Sequence, residues 1–322
     1  MKICIAEDDA THRRLLEETK GDSNARYLLA RLEDLEANDR LLRQAAEARV
    51  PSMYAFYALG YQALAEGQFP DAVQWLEKAV SLAPDHPSVW QEFKLALIAS
   101  KQYDRLLEEI KKRSQAGNFA IPSDRTDLIF ALAAKGDKAG ARAAVEEAIS
   151  SFAGQNPQQQ KRRAELEMVL CNQEKNVSGY LKWAAQVPDQ SRFTLAFLNG
   201  KLSEAAQAGD KASTGLVDHA LLYLAARKAG DQKLADQEWT KLLNALDKED
   251  RYGREFSATL AGRRPLDVNR VKKLPIEPSN KRVLLLVVAR RFPDRAKELL
   301  PLARKLDFVA DATSLCLTKI SD

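Results

Sequence analysis

Apolar residues recur every three or four positions through most of the chain, which is the spacing that places them along one face of an α-helix. Extended runs of alternating apolar and polar residues are absent, and glycine and proline are sparse, at 14 and 12 of 322 residues. Because both residues interrupt helices, their scarcity permits long helical stretches. The pattern therefore predicts an all-α protein.

Two helical patterns separated by a turn at Glu66-Gly67-Gln68 stand out between Met53 and His86. Small residues in such a hairpin let its helices approach, large residues fill the groove between hairpins, and proline ends the second helix. Counted from Met53, the residues at positions 4, 7, 8, 11, 20, 24, 27 and 32 are Phe56, Leu59, Gly60, Ala63, Ala72, Leu76, Ala79 and Pro84. This segment resembles a tetratricopeptide repeat.

Further hairpins follow at a period near 34 residues, with turns at positions 67, 101, 136, 200 and 230. The intervals are 34, 35, 64 and 30 residues, so one unit in the longest interval has lost its recognisable turn. Stacking is expected because a lone hairpin leaves one apolar face uncovered. The resemblance implies a right-handed superhelical solenoid of tetratricopeptide-like hairpins over residues 53–250. The alternative is a series of ordinary amphipathic hairpins outside that family.

The first residues, Met-Lys-Ile-Cys-Ile-Ala-Glu-Asp-Asp, resemble the start of a response-regulator receiver domain, in which Asp8 and Asp9 match the magnesium-binding acids. The phosphoacceptor aspartate that a receiver requires has no counterpart in residues 48–58. We therefore expect residues 1–22 to be a receiver-like stub. A lone strand at Lys2–Ala6 would be frayed, helical or docked on another element, because it cannot satisfy its own edge groups.

Residues 23–52 are expected to cap the array. Leucines at positions 28, 32, 35 and 42 predict one long helix from Ser23 to Ala48, which would cover the first hairpin. The alternative is a short coiled coil that dimerises the chain, although Asp39 interrupts its apolar stripe. The sequence leaves the oligomeric state open.

Residues 251–322 are expected to form a divergent C-terminal part. Three prolines predict an extended segment from Gly262 to Ser279, followed by two short helices at about 280–291 and 294–306.

Basic residues are concentrated in the same region, where ten bases face three acids between Arg251 and Arg290. The candidate basic patch comprises Arg263, Arg264, Arg270, Lys272 and Lys273. One interpretation is a surface for nucleic acid or an acidic protein. The other is a solvated face, which the lack of interleaved aromatic residues favours.

Composition excludes several classes of protein. The chain is 45% hydrophobic and 29% charged, which excludes a disordered chain, and its net charge of +4 is too small to indicate a polyanion partner for the chain as a whole. Cys4, Cys171 and Cys316 are odd in number and far apart, which argues against disulfides. With no apolar stretch long enough for a signal peptide or a membrane span, we expect a cytoplasmic protein.

Candidate chemistry is sparse. The three histidines have no metal-ligand partner at short spacing, and no catalytic or nucleotide-binding motif occurs. We therefore expect a protein that is not an enzyme and that uses no metal or cofactor.

The resemblance to tetratricopeptide repeats implies that the first helix of each hairpin lines a groove for a protein or peptide partner. The groove positions are occupied by Tyr54, Tyr57, Tyr61 and Leu64 in the best repeat and by Gln91 and Leu95 in the next. Three tyrosines at helical spacing would form a flat apolar surface whose hydroxyls still bond to a peptide. The alternative is that these tyrosines pack against the capping helix.

The expected function is therefore that of a non-catalytic scaffold or adaptor. The alternatives are binding of nucleic acid or an acidic partner through residues 251–290, and signal transduction by a protein derived from a response regulator.

Overall fold

The structure is a computed structural model that describes residues 21–31, 33, 35–115, 123–150, 156–187, 191–209, 216–248, 251–308 and 311–321. Across these ranges the chain forms nineteen α-helices and one 3₁₀ turn, with no β-strand. The all-α expectation is thereby confirmed. The predictions for Lys2–Ala6, Asp8 and Asp9 lie outside the described residues.

The helices are numbered in chain order. They are α1 (Ser23–Ala30), α2 (Leu35–Ala46), α3 (Met53–Ala65), α4 (Phe69–Leu82), α5 (Pro87–Ala99), α6 (Tyr103–Gln115), α7 (Ser123–Lys135), α8 (Lys138–Ser150), α9 (Asn156–Gln173), α10 (Val177–Ala184), α11 (Arg192–Leu198), α12 (Leu202–Gly209), α13 (Leu216–Ala229), α14 (Gln232–Lys248), α15 (Arg251–Leu260), α16 (Val268–Lys273), α17 (Pro278–Arg291), α18 (Ala296–Lys305) and α19 (Ala312–Ser321).

The helices group into two compact units, α1 to α5 with residues 273–275 and the described residues from 101 onward without 273–275. Within the first unit, consecutive helices from α1 to α5 pack against each other. Within the second, α7 packs on α8, α9 on α10, α11 on α12 and α13 on α14. Sequential helix pairs are thus the building principle that both units share.

The predicted single helix from Ser23 to Ala48 is wrong, because the chain forms α1 and α2 there and packs them together. Asp22 caps the start of α1 by accepting a hydrogen bond from the Asn24 amide at 2.6 Å. The Asn38 side chain of α2 donates to the Ala30 carbonyl at 2.7 Å, which ties α2 to the end of α1. The capping segment is therefore itself a hairpin.

Close approach of α3 and α4 depends on Gly60. A Cβ atom at this position would lie 2.4 Å from Cγ of Leu76, closer than packed carbon atoms can be. Leu76, Ala72 and Ala79 are fully buried, and Phe56 is almost completely buried. The prediction that a small residue here lets the two helices meet is confirmed.

A residue in the left-handed region of backbone space marks the turn between the helices of most hairpins. Every turn predicted from the sequence has one, at Gly67, Lys101, Gly136, Gly200 and Gly230. After α7, the amides of Gly136 and Asp137 donate to the carbonyls of Ala133 and Leu132, which satisfies carbonyls that the helix end would leave unpaired. Because glycine reaches this conformation without steric cost, it marks four of the five turns.

The turn missing from the 64-residue interval lies at Lys175, whose φ is 52°. It joins α9 to α10, and the Asn176 side chain then accepts a hydrogen bond from the Gly179 amide at 2.9 Å. Turns at 136, 175 and 200 divide the interval into 39 and 25 residues. One additional hairpin, α9 with α10, therefore fills the gap in the periodic pattern, at unequal distances from the turns on either side.

Exchanging residues at these turns should change stability in opposite directions. We expect Lys101→Gly to raise the free energy of unfolding by about 0.5–1 kcal/mol, because relief of left-handed strain exceeds the entropy that glycine adds to the unfolded chain. Gly136→Ala should lower it by about 1 kcal/mol, since its Cβ meets no neighbour and only backbone strain counts. Urea unfolding followed by circular dichroism measures both, and a shift of the same sign in the two variants would contradict this account.

The C-terminal part contains more helices than the sequence predicts. The segment expected to be extended contains α16, and α19 was not predicted. The helices α17 and α18 match the two expected helices and pack together, with α17 against α13. The last helix, α19, packs across α9, α11, α13 and α17. No helix in the described part of the chain combines the length and apolar composition needed to cross a bilayer.

Candidate functional site

The candidate site lies on the first helices of the hairpins in the first unit. Helix α3 packs against both α1 and α5, so the first helices of three successive hairpins are neighbours. The predicted residues Tyr54, Tyr57, Tyr61 and Leu64 belong to α3, and Gln91 and Leu95 to α5.

Tyr54 is the most exposed of the predicted aromatic residues. Its ring stacks on Tyr27 of α1, with centroids 5.5 Å apart and planes inclined by 22°. Even so, 46% of Tyr54 is exposed, which is unusual for a large aromatic side chain on a packed helix. The alternative that the tyrosines pack on the capping segment holds in part, because Tyr54 stacks on Tyr27 and Tyr57 packs against a core cluster that includes Leu42 and Ala45. Almost half of Tyr54 nevertheless stays accessible.

Tyr57 and Tyr61 form a second stacked pair, with centroids 6.4 Å apart. Both are half-buried. Burial and, to a smaller extent, the negative charge of Glu92 on α5 together raise the pKa of Tyr57 to about 12. The Tyr57 hydroxyl therefore stays protonated at neutral pH and able to donate a hydrogen bond. We call Tyr27, Tyr54, Tyr57 and Tyr61 the tyrosine surface.

The remaining predicted contact residues differ in accessibility. Gln91 is exposed and Leu95 half-buried, and their spacing of four puts them on one face of α5. Leu64, by contrast, is fully buried and has no surface with which to contact a partner. Its assignment to the groove is corrected on this ground.

The sequence interpretation missed Tyr27. This residue lies 34 residues before Tyr61, one repeat period, so the spacing was an available signal. The prediction of one helix over residues 23–48 hides the hairpin to which Tyr27 belongs.

The candidate basic patch is broken up by ion pairs. Arg263 lies 3.6 Å from Asp247, and Nε of Arg270 donates to Glu255 at 3.1 Å. Arg264 and Lys273 are exposed, and Lys273 belongs to the first unit whereas the other four residues belong to the second. Lys272 is half-buried, and its carbonyl accepts a hydrogen bond at 2.6 Å from the buried ammonium of Lys281. Much of the local positive charge is therefore already compensated.

The surroundings of the buried titratable groups in the second unit indicate structural roles for them. The imidazole Nδ1 of His219 lies 2.7 Å from a carboxylate oxygen of the fully buried Glu238, whose other oxygen is 3.0 Å from Lys241. Burial raises the pKa of Cys171 to about 11 and that of Cys316 to about 12, so both thiols stay protonated and poorly nucleophilic.

Among the described residues, no group of three or more histidine, cysteine, aspartate or glutamate side chains is placed to bind a metal ion.

No protein-family model matches the chain, and no curated protein matches it either.

Proposed function

We propose that this protein is a non-catalytic scaffold of the tetratricopeptide-repeat type, which binds a segment of a partner protein on the tyrosine surface. The observation that carries the proposal is the exposure of Tyr54, which is stacked on Tyr27 and nevertheless 46% accessible. Exposed aromatic side chains held rigid by a neighbour are typical of binding hot spots, because little conformational entropy is lost when they are covered.

The chemistry of the surface indicates the kind of segment that it would bind. Two stacked pairs offer flat apolar area, and hydroxyls such as that of Tyr57 supply hydrogen bonds. Gln91 on the neighbouring helix adds an exposed amide, which both donates and accepts. A short peptide with apolar side chains and accessible backbone groups matches this combination.

Truncating Tyr54 should weaken binding without unfolding the chain. Once a partner has been recovered by affinity capture, its binding segment can be synthesised and titrated calorimetrically. We expect Tyr54→Ala to raise Kd by about 5- to 150-fold, equivalent to 1–3 kcal/mol. Tyr54 is a better target than Tyr57 because Tyr57 also packs against the hydrophobic core of the first unit.

Leu82→Ala is the matched control. Leu82 is also large, apolar and 50% exposed, but it lies at the end of α4, a second helix of a hairpin. We expect its Kd to stay within twofold of the wild-type value. Equal losses in the two variants would show that exposed apolar area in general, and not the tyrosine surface, binds the partner.

Binding of nucleic acid through residues 251–290 is the alternative proposal. It has less support, since Arg263 and Arg270 are paired with acids and Lys281 is buried. Ionic strength separates the two proposals, because phosphate contacts make affinity fall steeply with salt whereas an aromatic surface responds little. Signal transduction by a receiver-derived segment would instead require Asp8 and Asp9 and is tested by incubation with acetyl phosphate and magnesium.

A further inference from the structure

The last helix, α19, occupies a face that is built from first helices of hairpins in the second unit. Helices α9, α11 and α13 each end at a left-handed turn, at Lys175, Gly200 and Gly230. All three contact α19, and α17 contacts it as well. The hairpins thus present to α19 the same class of helix that carries the tyrosine surface in the first unit.

Helix α19 is enclosed over its central turn. Four consecutive residues, Ser314, Leu315, Cys316 and Leu317, are buried. Consecutive residues of a helix point about 100° apart, so their joint burial means that the helix is surrounded on most of its circumference. Helix α19 is therefore packed between other elements, and its buried surface is wider than a single apolar stripe.

Charged residues fix the chain near α19, with Asp307 in the turn after α18 and Asp311 directly before α19. Arg282 of α17 donates to Asp307 at 2.7 Å and to the Ser314 hydroxyl at 3.4 Å. Lys175, at the turn after α9, pairs with the other oxygen of Asp307 at 2.9 Å. Asp311 caps the helix by accepting a hydrogen bond from the Ser314 amide at 2.8 Å. We call Lys175, Arg282, Asp307 and Asp311 the anchor.

The anchor has the composition of a recognition site. Arg282 is mostly buried, and burial lowers its pKa despite the opposing effect of Asp307 and Asp311. A largely buried guanidinium that donates to the Asp307 carboxylate and to the Ser314 hydroxyl provides directional, charge-assisted bonds, which position a segment more strictly than apolar contacts do.

We propose that the face formed by α9, α11, α13 and α17 is a second binding site, which takes a short helix of a partner protein in exchange for α19. The partner helix would be preceded by two acidic residues four positions apart, as Asp307 and Asp311 are, and would continue with an apolar turn like Leu315–Leu317. This site is independent of the tyrosine surface, so either proposal can fail without the other.

Such an exchange requires α19 to leave its seat while the rest of the unit stays folded. Cys316 reports this opening in the unmodified chain, because it is buried in α19 and unreactive until the helix detaches. Cys171, buried in α9, serves as the internal reference. Alkylation with iodoacetamide, quantified by peptide mass mapping, gives both rates in one sample. We expect Cys316 to react at least tenfold faster than Cys171.

Loosening the anchor should speed the opening selectively. Arg282→Gln is expected to accelerate alkylation of Cys316 a further tenfold or more, with the Cys171 rate unchanged within twofold. Arg290→Gln is the matched control, since Arg290 is an exposed residue of the same helix. Equal rates for the two cysteines in the wild-type chain and in Arg282→Gln would mean that α19 opens only with global unfolding, and would overturn the proposal.

Binding in trans tests the vacated face directly. The probe is a fluorescent peptide with the sequence of residues 307–322, added to the full chain carrying Leu315→Asp, which disfavours seating of its own α19. We expect this chain to bind the peptide at least tenfold more tightly than the wild-type chain does, and the same peptide with Leu315→Asp not to bind. If the wild-type chain forms a dimer by exchanging α19, the helix that occupies the face comes from a second copy of the chain and not from a foreign partner. Absence of peptide binding to a folded variant would refute the site.

Discussion

Replacing His219 with leucine is expected to lower the free energy of unfolding by about 2–4 kcal/mol. The Glu238 carboxylate is fully buried and has two partners, His219 at 2.7 Å and Lys241 at 3.0 Å. Leucine would fill much of the imidazole's space but would leave one carboxylate oxygen buried without a hydrogen bond. Loss of one partner from a buried charge is costly because water cannot replace it. Denaturant unfolding of the variant measures the loss.

The double variant His219→Leu/Glu238→Leu distinguishes an unsatisfied charge from a packing defect. Removing the carboxylate as well should restore at least half of the lost stability, since an apolar pair of similar volume often matches a buried polar pair. A double variant less stable than His219→Leu would show that the cost arises from the shape of leucine at position 219. It would then contradict the electrostatic explanation.

Truncation of Leu76 should have the largest effect on the first unit. Leu76 is fully buried in α4, and its side chain fills the space above Gly60 of α3. We expect Leu76→Ala to destabilise the unit by about 3–5 kcal/mol, because the lost apolar contacts leave a cavity that a rigid helix pair closes only partly. Urea unfolding followed by tryptophan fluorescence suits this unit, as Trp75 lies in the same helix.

Leu82→Ala in α4 is the control for this loss. Leu82 is half exposed, so its truncation should change stability by no more than about 0.5 kcal/mol. A rescue is also available, because Gly60→Ala should cost stability in the wild-type chain and less in the Leu76→Ala background, where its methyl group has room. If Leu76→Ala and Leu82→Ala lost equal stability, the close contact of α3 and α4 would not be what holds the hairpin together.

Features with a local cause could be predicted from the sequence. Gly67, Gly136, Gly200 and Gly230 lie at left-handed turns because glycine has no Cβ to clash there. Gly60 was predicted correctly for the related reason that only a missing side chain leaves room for Leu76. In each case one residue type has a steric property that no other shares.

Features without such a marker were missed. Lys175 adopts the left-handed conformation although lysine does not favour it, so its turn was invisible in the pattern. The break between α1 and α2 contains neither glycine nor proline. Residues Ser314–Leu317 of helix α19 are all buried, so its apolar residues do not form a stripe along one face. The sequence of a helix that is surrounded in this way lacks the recurrence of apolar residues every three or four positions.

Burial of the candidate contact residues also depended on information that the sequence lacks. Leu64 was assigned to the groove from its repeat position, yet it is fully buried, whereas Tyr54 is half exposed. The repeat position fixes which face of α3 a residue lies on, but the elements packed over that face decide whether it is accessible.

The central claim is that a partner binds on the first helices of the first unit. Site-specific photo-crosslinking in cells tests this claim most directly, with p-benzoylphenylalanine introduced in place of Tyr54 in one chain and of Leu82 in another. The two positions have similar exposure but belong to a first and a second helix. We predict a discrete crosslinked protein from position 54 and none from position 82. Crosslinks from position 82 alone, or the same products from both positions, would contradict the account.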